Sequence, residues 1–279
     1  MVTKLASIVV PVHNEAALIE SFLAGLSAMG VLDDYEVVIG CNACHDDTAR
    51  LARTYDGVVV AETDEGGKYA GLNLGDDHAT VMPRIYLDVD VQISRAALDR
   101  LAHELSTGPT LAAAPRLIVD LKGRSWPVRA YYAIWMRLPW VLDEMIGSGV
   151  FGVSEAGRAR FDRFPHDVVD DLYVSAHFAP GERRNLDDVT FTVPSSPTLA
   201  DVIQRKSRLL TYNRRTAEHI ADLPGRPASR SSFVRVAAPR PWLWPAALVY
   251  AYVAFTADRR AQERMRTEEF SWDGSQRDD

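Results

Sequence analysis

Between residues 7 and 87 the chain alternates short apolar runs with stretches of helical periodicity, and this alternation constrains the fold more than any other feature. Ser7-Ile8-Val9-Val10-Pro11-Val12 is a continuous apolar run of strand length, and residues 35–40, 58–61 and 84–87 repeat the pattern. After the first run, Leu18, Ile19, Phe22, Leu23, Leu26 and Met29 fall at three- and four-residue spacing, which predicts an amphipathic helix. Asp46 and Asp47 open a second helix, where the helix dipole favours negative charge. Strands and helices alternating at this interval predict a parallel, doubly wound α/β sheet. The first turn reads Pro11-Val12-His13-Asn14-Glu15, so it lacks the glycine fingerprint of a dinucleotide site, and no phosphate-cradling Walker loop follows.

The fourth run leads into Asp88-Val89-Asp90. The strand is expected to end in these residues, and because side chains alternate along a strand both carboxylates face one side. They then stand at the carboxyl edge of the sheet, where open α/β sheets bind ligands. Two hard oxygen donors suit Mn²⁺ or Mg²⁺, ions that complete their shell with substrate phosphates and water. The plain alternative is a solvated turn after a strand.

Beyond Asp90 the pattern changes. Ser94 is placed to cap a helix reaching about Ser106. Residues 111–119 are apolar enough for a strand, and residues 126–142 are an aromatic-rich helix or helix pair interrupted at Pro139. Gly147-Ser148-Gly149 begins a glycine-spaced strand, which permits close backbone approach. Asp170 and Asp171 head a helix; adjacent helical residues diverge by about 100°, so one is expected to face a site while the other caps. Residues 190–197 are extended, and Gln204-Arg205-Lys206-Ser207-Arg208 is a basic cluster on a helix. Residues 224–232, rich in Pro, Gly and Ser, read as a linker between a domain over 1–223 and a helical extension over 233–279. In that extension the apolar, aromatic stretch from Trp242 to Ala257 is followed by Arg259, Arg260, Arg264 and Arg266. At about 1.5 Å per residue it is too short to cross a ~30 Å hydrocarbon core comfortably. It suits a membrane interface, a subunit interface or simple packing.

The net charge of −7 argues against a general nucleic-acid binder, which needs a basic face. Cys41 and Cys44 are the only cysteines: too few for a disulfide framework, and in keeping with a reducing compartment. As a Cys-x-x-Cys at a strand-to-helix turn they keep a thiol-redox module open as an alternative, and a small structural zinc site less so. The histidines show no metal-ligand spacing. The chain runs from Met1 almost directly into a strand without signal-peptide architecture, so a cytoplasmic location is expected.

Taken together these segments resemble the family 2 glycosyltransferases of GT-A fold, from about Ser7 to Tyr212. Residues 10–15 resemble the family's opening strand and P-x-x-N-E turn, and residues 42–48 its second nucleotide loop. Glu65-Gly66-Gly67-Lys68 with Leu72-Asn73 is similar to its G-K-x-x-A-L-N element, and Asp88-Val89-Asp90 to its metal-binding Asp-x-Asp. Gly147-Ser148-Gly149 resembles its acceptor-side glycine strand, Asp170-Asp171 its E-D dyad, and residues 204–208 its Q/R-x-x-R element. The resemblance implies a Rossmann-related, mostly parallel central sheet flanked by helices, with a C-terminal helical extension. It implies that Pro11, His13, Glu15, Asn42 and Asp47 line a nucleoside pocket with Lys68 near the nucleotide. Asp88 would face the donor, Asp90 would hold Mn²⁺ or Mg²⁺ on the diphosphate, and Asp171 would be the general base, with Asp170 as the other candidate. Gly147, Ser148, Gly149, Arg205 and Arg208 would lie on the acceptor side. Two positions depart from the family: the usual second-strand Asp is Asn42, and the E-D dyad is Asp-Asp. The tryptophan of processive members is absent after Arg208, which favours transfer of one sugar.

The expected activity is therefore metal-dependent, inverting transfer of one sugar from a nucleotide sugar, with UDP favoured, to a hydroxyl on a glycan, lipid-linked sugar or small molecule. The implied setting is cell-envelope or exopolysaccharide glycan or glycolipid synthesis, with peripheral contact to the inner membrane face or a homodimer through residues 242–257. Other classes weighed are a nucleotidyl- or phosphosugar transferase and a non-catalytic binding scaffold; the lysine-marked glycine loop of the nucleotidyltransferases is missing.

Overall fold

A computed structural model describes residues 4–142, 145, 148–225 and 233–267. In chain order the elements are β1 (Ser7–Val12), α1 (Ala16–Ala28), α2 (Val31–Asp34), β2 (Glu36–Asn42), α3 (Thr48–Ala52), β3 (Val58–Thr63), α4 (Lys68–His78) and β4 (Arg84–Leu87). There follow β5 (Gln92–Ile93), α5 (Arg95–Thr107), β6 (Ala112–Asp120), α6 (Trp126–Trp135), α7 (Pro139–Leu142), β7 (Val150–Val153) and α8 (Glu155–Arg158). The chain continues with α9 (Asp170–Ala176), β8 (Arg183–Pro194), α10 (Leu199–His219), α11 (Phe233–Ala237), a 3-10 turn at Pro241–Leu243 and α12 (Trp244–Thr267).

The strands form one eight-stranded sheet in the order β3-β2-β1-β4-β7-β6-β8-β5. β3, β2, β1 and β4 are mutually parallel, β6 and β8 share their direction, and β7 and β5 run against it. The parallel sheet expected from the alternation thus holds for the first half and becomes mixed after β4. All six residues of β1 are buried, as suits a central strand covered on both faces. The chain winds from β1 to β2 and β3 on one side, then returns to place β4 on the other side of β1. The gap between β1 and β4 is therefore the topological switch point, where such sheets bind ligands.

Helix α4 packs on β1 and β2 at unusually close range. A Cβ on Gly40 would meet the Gly71 carbonyl oxygen at 2.2 Å, and one on Gly71 would meet the Asn42 side chain at 2.7 Å. Only glycine at both positions allows this approach, and it fixes the start of α4 at the edge of the sheet. Ser94 caps α5 by accepting the Ala97 N–H, as expected.

At the other end of the sheet, α12 lies along α10 and α6. Leu243, Ala246, Tyr250, Val253 and Ala257 join the same apolar core as β1 and β2. The opposite face of this segment is not covered: Trp242, Trp244, Leu248, Tyr252 and Phe255 are between 57% and 74% exposed. Arg259, exposed one turn beyond, sets its guanidinium 5.8 Å from the Phe255 ring centre. Among the described residues no helix is long and apolar enough to cross a membrane. The expected linker, 224–232, lies outside the described residues from 226 onward, as does the end of the extension from 268.

Candidate active site

β4 stops at Leu87 and the chain turns tightly: the Asp88 N–H donates to the Gly149 carbonyl at 2.7 Å, and the Val91 N–H to the Asp88 carbonyl at 3.2 Å. Strand alternation therefore does not aim Asp88 and Asp90. The buried Val89 and Val91 do, since the core takes the two valines and leaves both carboxylates lining a cavity of about 670 Å³. Gly149 sits at φ +110°, and a Cβ there would lie 2.6 Å from Val91 Cγ2 and 3.4 Å from Asp88 Oδ2. A side chain at 149 would push β7 off the aspartate turn. Gly147, the first residue of the expected glycine strand, lies outside the described residues.

Lys68, the first residue of α4, reaches Asp88 at 2.9 Å and Asp170 at 3.0 Å. Burial works against its ammonium, but Asp170 and Asp88 outweigh burial and hold its pKa above the ordinary lysine value. Lysine here is neither a solvent residue nor free for a phosphate alone; it neutralises part of a converging set of four aspartates. Asp171 accepts the Ser148 N–H at 2.9 Å and the Leu172 N–H at 2.7 Å. Ser148 takes φ +32° to present that N–H, a left-handed conformation uncommon outside glycine. Burial first, and then the charge of Asp170, push the Asp171 carboxyl up to about 6.

Helical divergence predicted one of these two aspartates in the site, and the structure brings both to the cavity wall. They are the first two residues of α9, where Cα–Cβ bonds lean toward the helix start, and that start faces the cavity.

The residues assigned to a nucleoside pocket cluster at the carboxyl ends of β1 and β2, and Pro11, His13, Glu15, Asn42 and Asp47 all lie outside the walls of this cavity. His13 Nδ1 is 2.7 Å from the Asn42 carbonyl, and the Glu15 N–H donates to Thr48 Oγ1 at 2.8 Å. Asp47 is exposed and pairs with Arg50 at 2.9 Å. The neighbouring Asp46 is the residue that ties the loop together, accepting the Ala16 and Thr48 N–H groups at 3.0 Å each. Sequence reasoning passed over Asp46 because two adjacent aspartates at a helix start look interchangeable.

Asn42 is 1% exposed, donates to the Val12 carbonyl at 2.8 Å and accepts the Gly67 N–H at 3.2 Å. Its side chain ties β1 to the loop that carries Lys68, so in this structure it braces backbone and is buried away from the cavity. Asn42→Ala strands two buried backbone groups and should cost about 1–3 kcal/mol in urea unfolding; a loss below ~0.5 kcal/mol would show that the brace is dispensable. Cys41 and Cys44 are free thiols that share a hydrogen bond; that bond and burial raise the pKa of Cys41, and the bond lowers that of Cys44 against its burial.

Arg205 and Arg208 of α10 line the same cavity, together with Lys206. For a metal, the donors at hand are the carboxylates of Asp88 and Asp90. Among the described residues no group of three or more His, Cys, Asp or Glu is arranged to hold an ion. Two cavity-facing carboxylates fit Mn²⁺ or Mg²⁺ shared with phosphate oxygens and water, and do not fit an all-protein cage.

The sequence matches the family model described as glycosyl transferase family 2 over residues 7–163. No curated protein gives a significant match. Among solved structures the chain is similar to the mannosyltransferase PcManGT of Pyrobaculum calidifontis in complex with GDP-Man and Mn²⁺, at 22% identity, 95% coverage of this chain and 79% of that chain, and a TM-score of 0.59. It is also similar to glucosyl-3-phosphoglycerate synthase of Mycobacterium tuberculosis in complex with Mn²⁺, UDP and glucosyl-3-phosphoglycerate, at 16% identity, coverages of 80% and 81% and a TM-score of 0.56. A third likeness is to S. aureus TarS 1–349 in complex with UDP, at 14% identity, coverages of 95% and 92% and a TM-score of 0.53. At these identities the likeness is one of fold.

Proposed function

The chain belongs to glycosyl transferase family 2 and has its GT-A fold, and on that premise we propose that it transfers one sugar from a nucleoside diphosphate sugar to a hydroxyl acceptor with inversion. The observation that carries this reading is the meeting of Asp88, Asp90, Lys68, Asp170 and Asp171 at one end of a single cavity beside the sheet's switch point. In this reading Asp88 and Asp90 hold Mn²⁺ or Mg²⁺. When bound, such an ion supplies Lewis-acid stabilisation to the negative charge of the diphosphate leaving group. Lys68 keeps Asp88 and Asp170 together and offers its ammonium to the donor side. Asp171 takes the proton of the acceptor hydroxyl as that oxygen attacks the anomeric carbon and the bond to the diphosphate breaks. Such a direct displacement inverts the centre and needs no enzyme nucleophile. UDP is the favoured nucleotide: UDP complexes stand among the similar solved structures beside a GDP-Man complex.

A thermal-shift panel of UDP, GDP and ADP with Mn²⁺, Mg²⁺ or EDTA tests this. A nucleotide at about a hundred times its Kd stabilises the native state by ~2.7 kcal/mol. UDP with Mn²⁺ should give the largest rise in melting temperature, and no rise with any nucleotide and metal would end the reading.

The exposed stripe of Trp244, Leu248, Tyr252 and Phe255, continued by Arg259, supports peripheral contact with an anionic membrane surface at the inner face. Because the other face of α12 belongs to the core, point changes are the proper test and truncation is not. Wild type should sediment with anionic liposomes, and a chain carrying Trp244→Ser, Leu248→Ser and Phe255→Ser should stay in the supernatant. Wild type that ignores liposomes and sediments alone as a dimer assigns the stripe to a subunit interface instead.

A further inference from the structure

The half of the cavity away from the aspartates has a different chemistry. Its wall is a chain of rings from α6 and α7: Tyr131 meets Tyr132 edge-on at 5.1 Å, Tyr132 meets Trp135 at 5.9 Å, and Trp135 meets Trp140 at 6.1 Å. Tyr250 of α12 stacks on Tyr131 at 5.3 Å, nearly parallel. Leu117, Val119 and Val193 of β6 and β8 add an aliphatic lining. Such a surface gains by burying apolar ligand area.

The cations Arg205, Lys206 and Arg208 of α10 line the same cavity. Lys206 sets its ammonium 5.2 Å from the Tyr250 ring centre and 5.7 Å from that of Tyr131, so α10 meets the rings at this point. Further along α10, Thr216 accepts the N–H of Val169, the residue before Asp170. Lys206 and Arg208 therefore lie on the stretch of α10 that runs from the rings toward the aspartate pair, with Arg205 just before it. The residues of α10 and α12 fall outside the 7–163 span of the family match and join β6, α6 and α7 of that span in walling the cavity.

We propose that the acceptor is an amphipathic phosphate ester, with a single apolar chain in the aromatic chamber, its phosphate on Arg205, Lys206 and Arg208, and a hydroxyl-bearing head reaching Asp171. The order of chemistries along the cavity dictates the order within the ligand. An anion is repelled by the four aspartates and held by guanidinium and ammonium groups; an apolar chain is excluded from the charged end and taken up by the rings. The outer face of α12 carries the exposed aromatic stripe while its inner face lines the chamber, so the same helix that meets a lipid surface walls the site that takes a lipid-borne substrate. The assignment rests on the proposed glycosyl transfer for the role of Asp171, and the binding test does not.

The test is isothermal titration calorimetry of the full chain with dodecyl phosphate below its micelle concentration, with inorganic phosphate and dodecanol as partial ligands. Dodecyl phosphate should bind one to one and at least about tenfold tighter than either partial ligand, the scale of one charge-assisted hydrogen bond. UDP with Mn²⁺ should not displace it. Arg205→Gln and Lys206→Met should each weaken it about tenfold, with melting temperatures confirming the fold, and Arg259→Gln on the outer stripe should leave it unchanged. Farnesyl phosphate and single-chain lysophosphatidylglycerol then separate an isoprenoid source from a glycerolipid one, and tighter binding of either keeps the proposal. Equal binding of dodecanol, displacement by UDP with Mn²⁺, or weakening by Arg259→Gln alone overturns it. A UDP–Mn²⁺ titration in the same samples separates the two ideas: its failure beside dodecyl phosphate binding removes the glycosyl-transfer reading and leaves the lipid site.

Discussion

Asp90→Ala should abolish the metal dependence of nucleotide binding and remove nearly all turnover while the protein still folds. The turn that carries Asp90 is held by the Asp88–Gly149 and Val91–Asp88 backbone bonds and by burial of Val89 and Val91. None of these uses the Asp90 carboxylate, so these supports of the turn remain in the variant. Asp88 cannot compensate, because Lys68 already engages both of its oxygens, at 2.9 and 3.1 Å. A single remaining carboxylate tied to an ammonium is a poor ion site. The affinity loss should exceed the ~10–100-fold that follows from removing an outer-shell partner of a metal. Calorimetry with UDP in Mn²⁺ and in EDTA reads this directly: wild type should bind in Mn²⁺ and weakly in EDTA, and the variant weakly in both. Equal wild-type affinity in the two buffers would remove the metal from the proposal.

The first half of the fold was legible because β1, β2 and β4 are buried enough to need an unbroken apolar run, while β3 buries only Ala61 and still keeps the run of Val58 to Ala61. β1, β2 and β4 are such runs, and α1 carries its buried Ile19, Leu23 and Leu26 at helical spacing. The far edge of the sheet was less legible. β5 has two residues, and the first half of β8 buries only Leu186 among charged neighbours, because its side chains meet solvent on most of their surface. A strand of that kind has no hydrophobic period to read. In the candidate site, the Asp-x-Asp, the lysine loop, the aspartate pair and the α10 cations were singled out from sequence, and the structure brings them to one cavity. It could not show that Asp88 and Asp90 sit on a turn, that Asn42 is buried as a brace, or that Asp46 rather than Asp47 ties the loop. Those depend on hydrogen bonds between residues far apart in the chain: Asn42 to Val12 and Gly67, Asp46 to Ala16. The aromatic chamber is a similar case, since Tyr131 and Tyr250 meet only once α6 and α12 pack.

Asp171→Asn should lower kcat by about 10²–10⁴-fold with nucleotide affinity close to wild type, the usual contribution of a positioned general base. The substitution keeps the side chain's size and removes the proton acceptor. On the donor side Lys68 pairs with Asp88 and Asp170, while Asp171 accepts the Ser148 and Leu172 N–H groups. Asp170→Asn should act differently. It breaks the 3.0 Å pair with Lys68 but leaves the Asp171 carboxylate on its two N–H donors, so the loss near pH 8 should stay below about tenfold. The pH profile separates the roles further. A base works only when deprotonated, so with the Asp171 carboxyl pushed up to about 6, wild-type kcat should fall as pH drops through that value, approaching tenfold per unit below it. The charge of Asp170 is one of the forces raising that pKa, and Asp170→Asn removes it. The acid limb of the Asp170→Asn variant should therefore move to lower pH, while Asp171→Asn should lose the limb altogether. A larger loss from Asp170→Asn than from Asp171→Asn would transfer the base to Asp170. An acid limb that stays in place in both variants would mean that neither aspartate takes the proton.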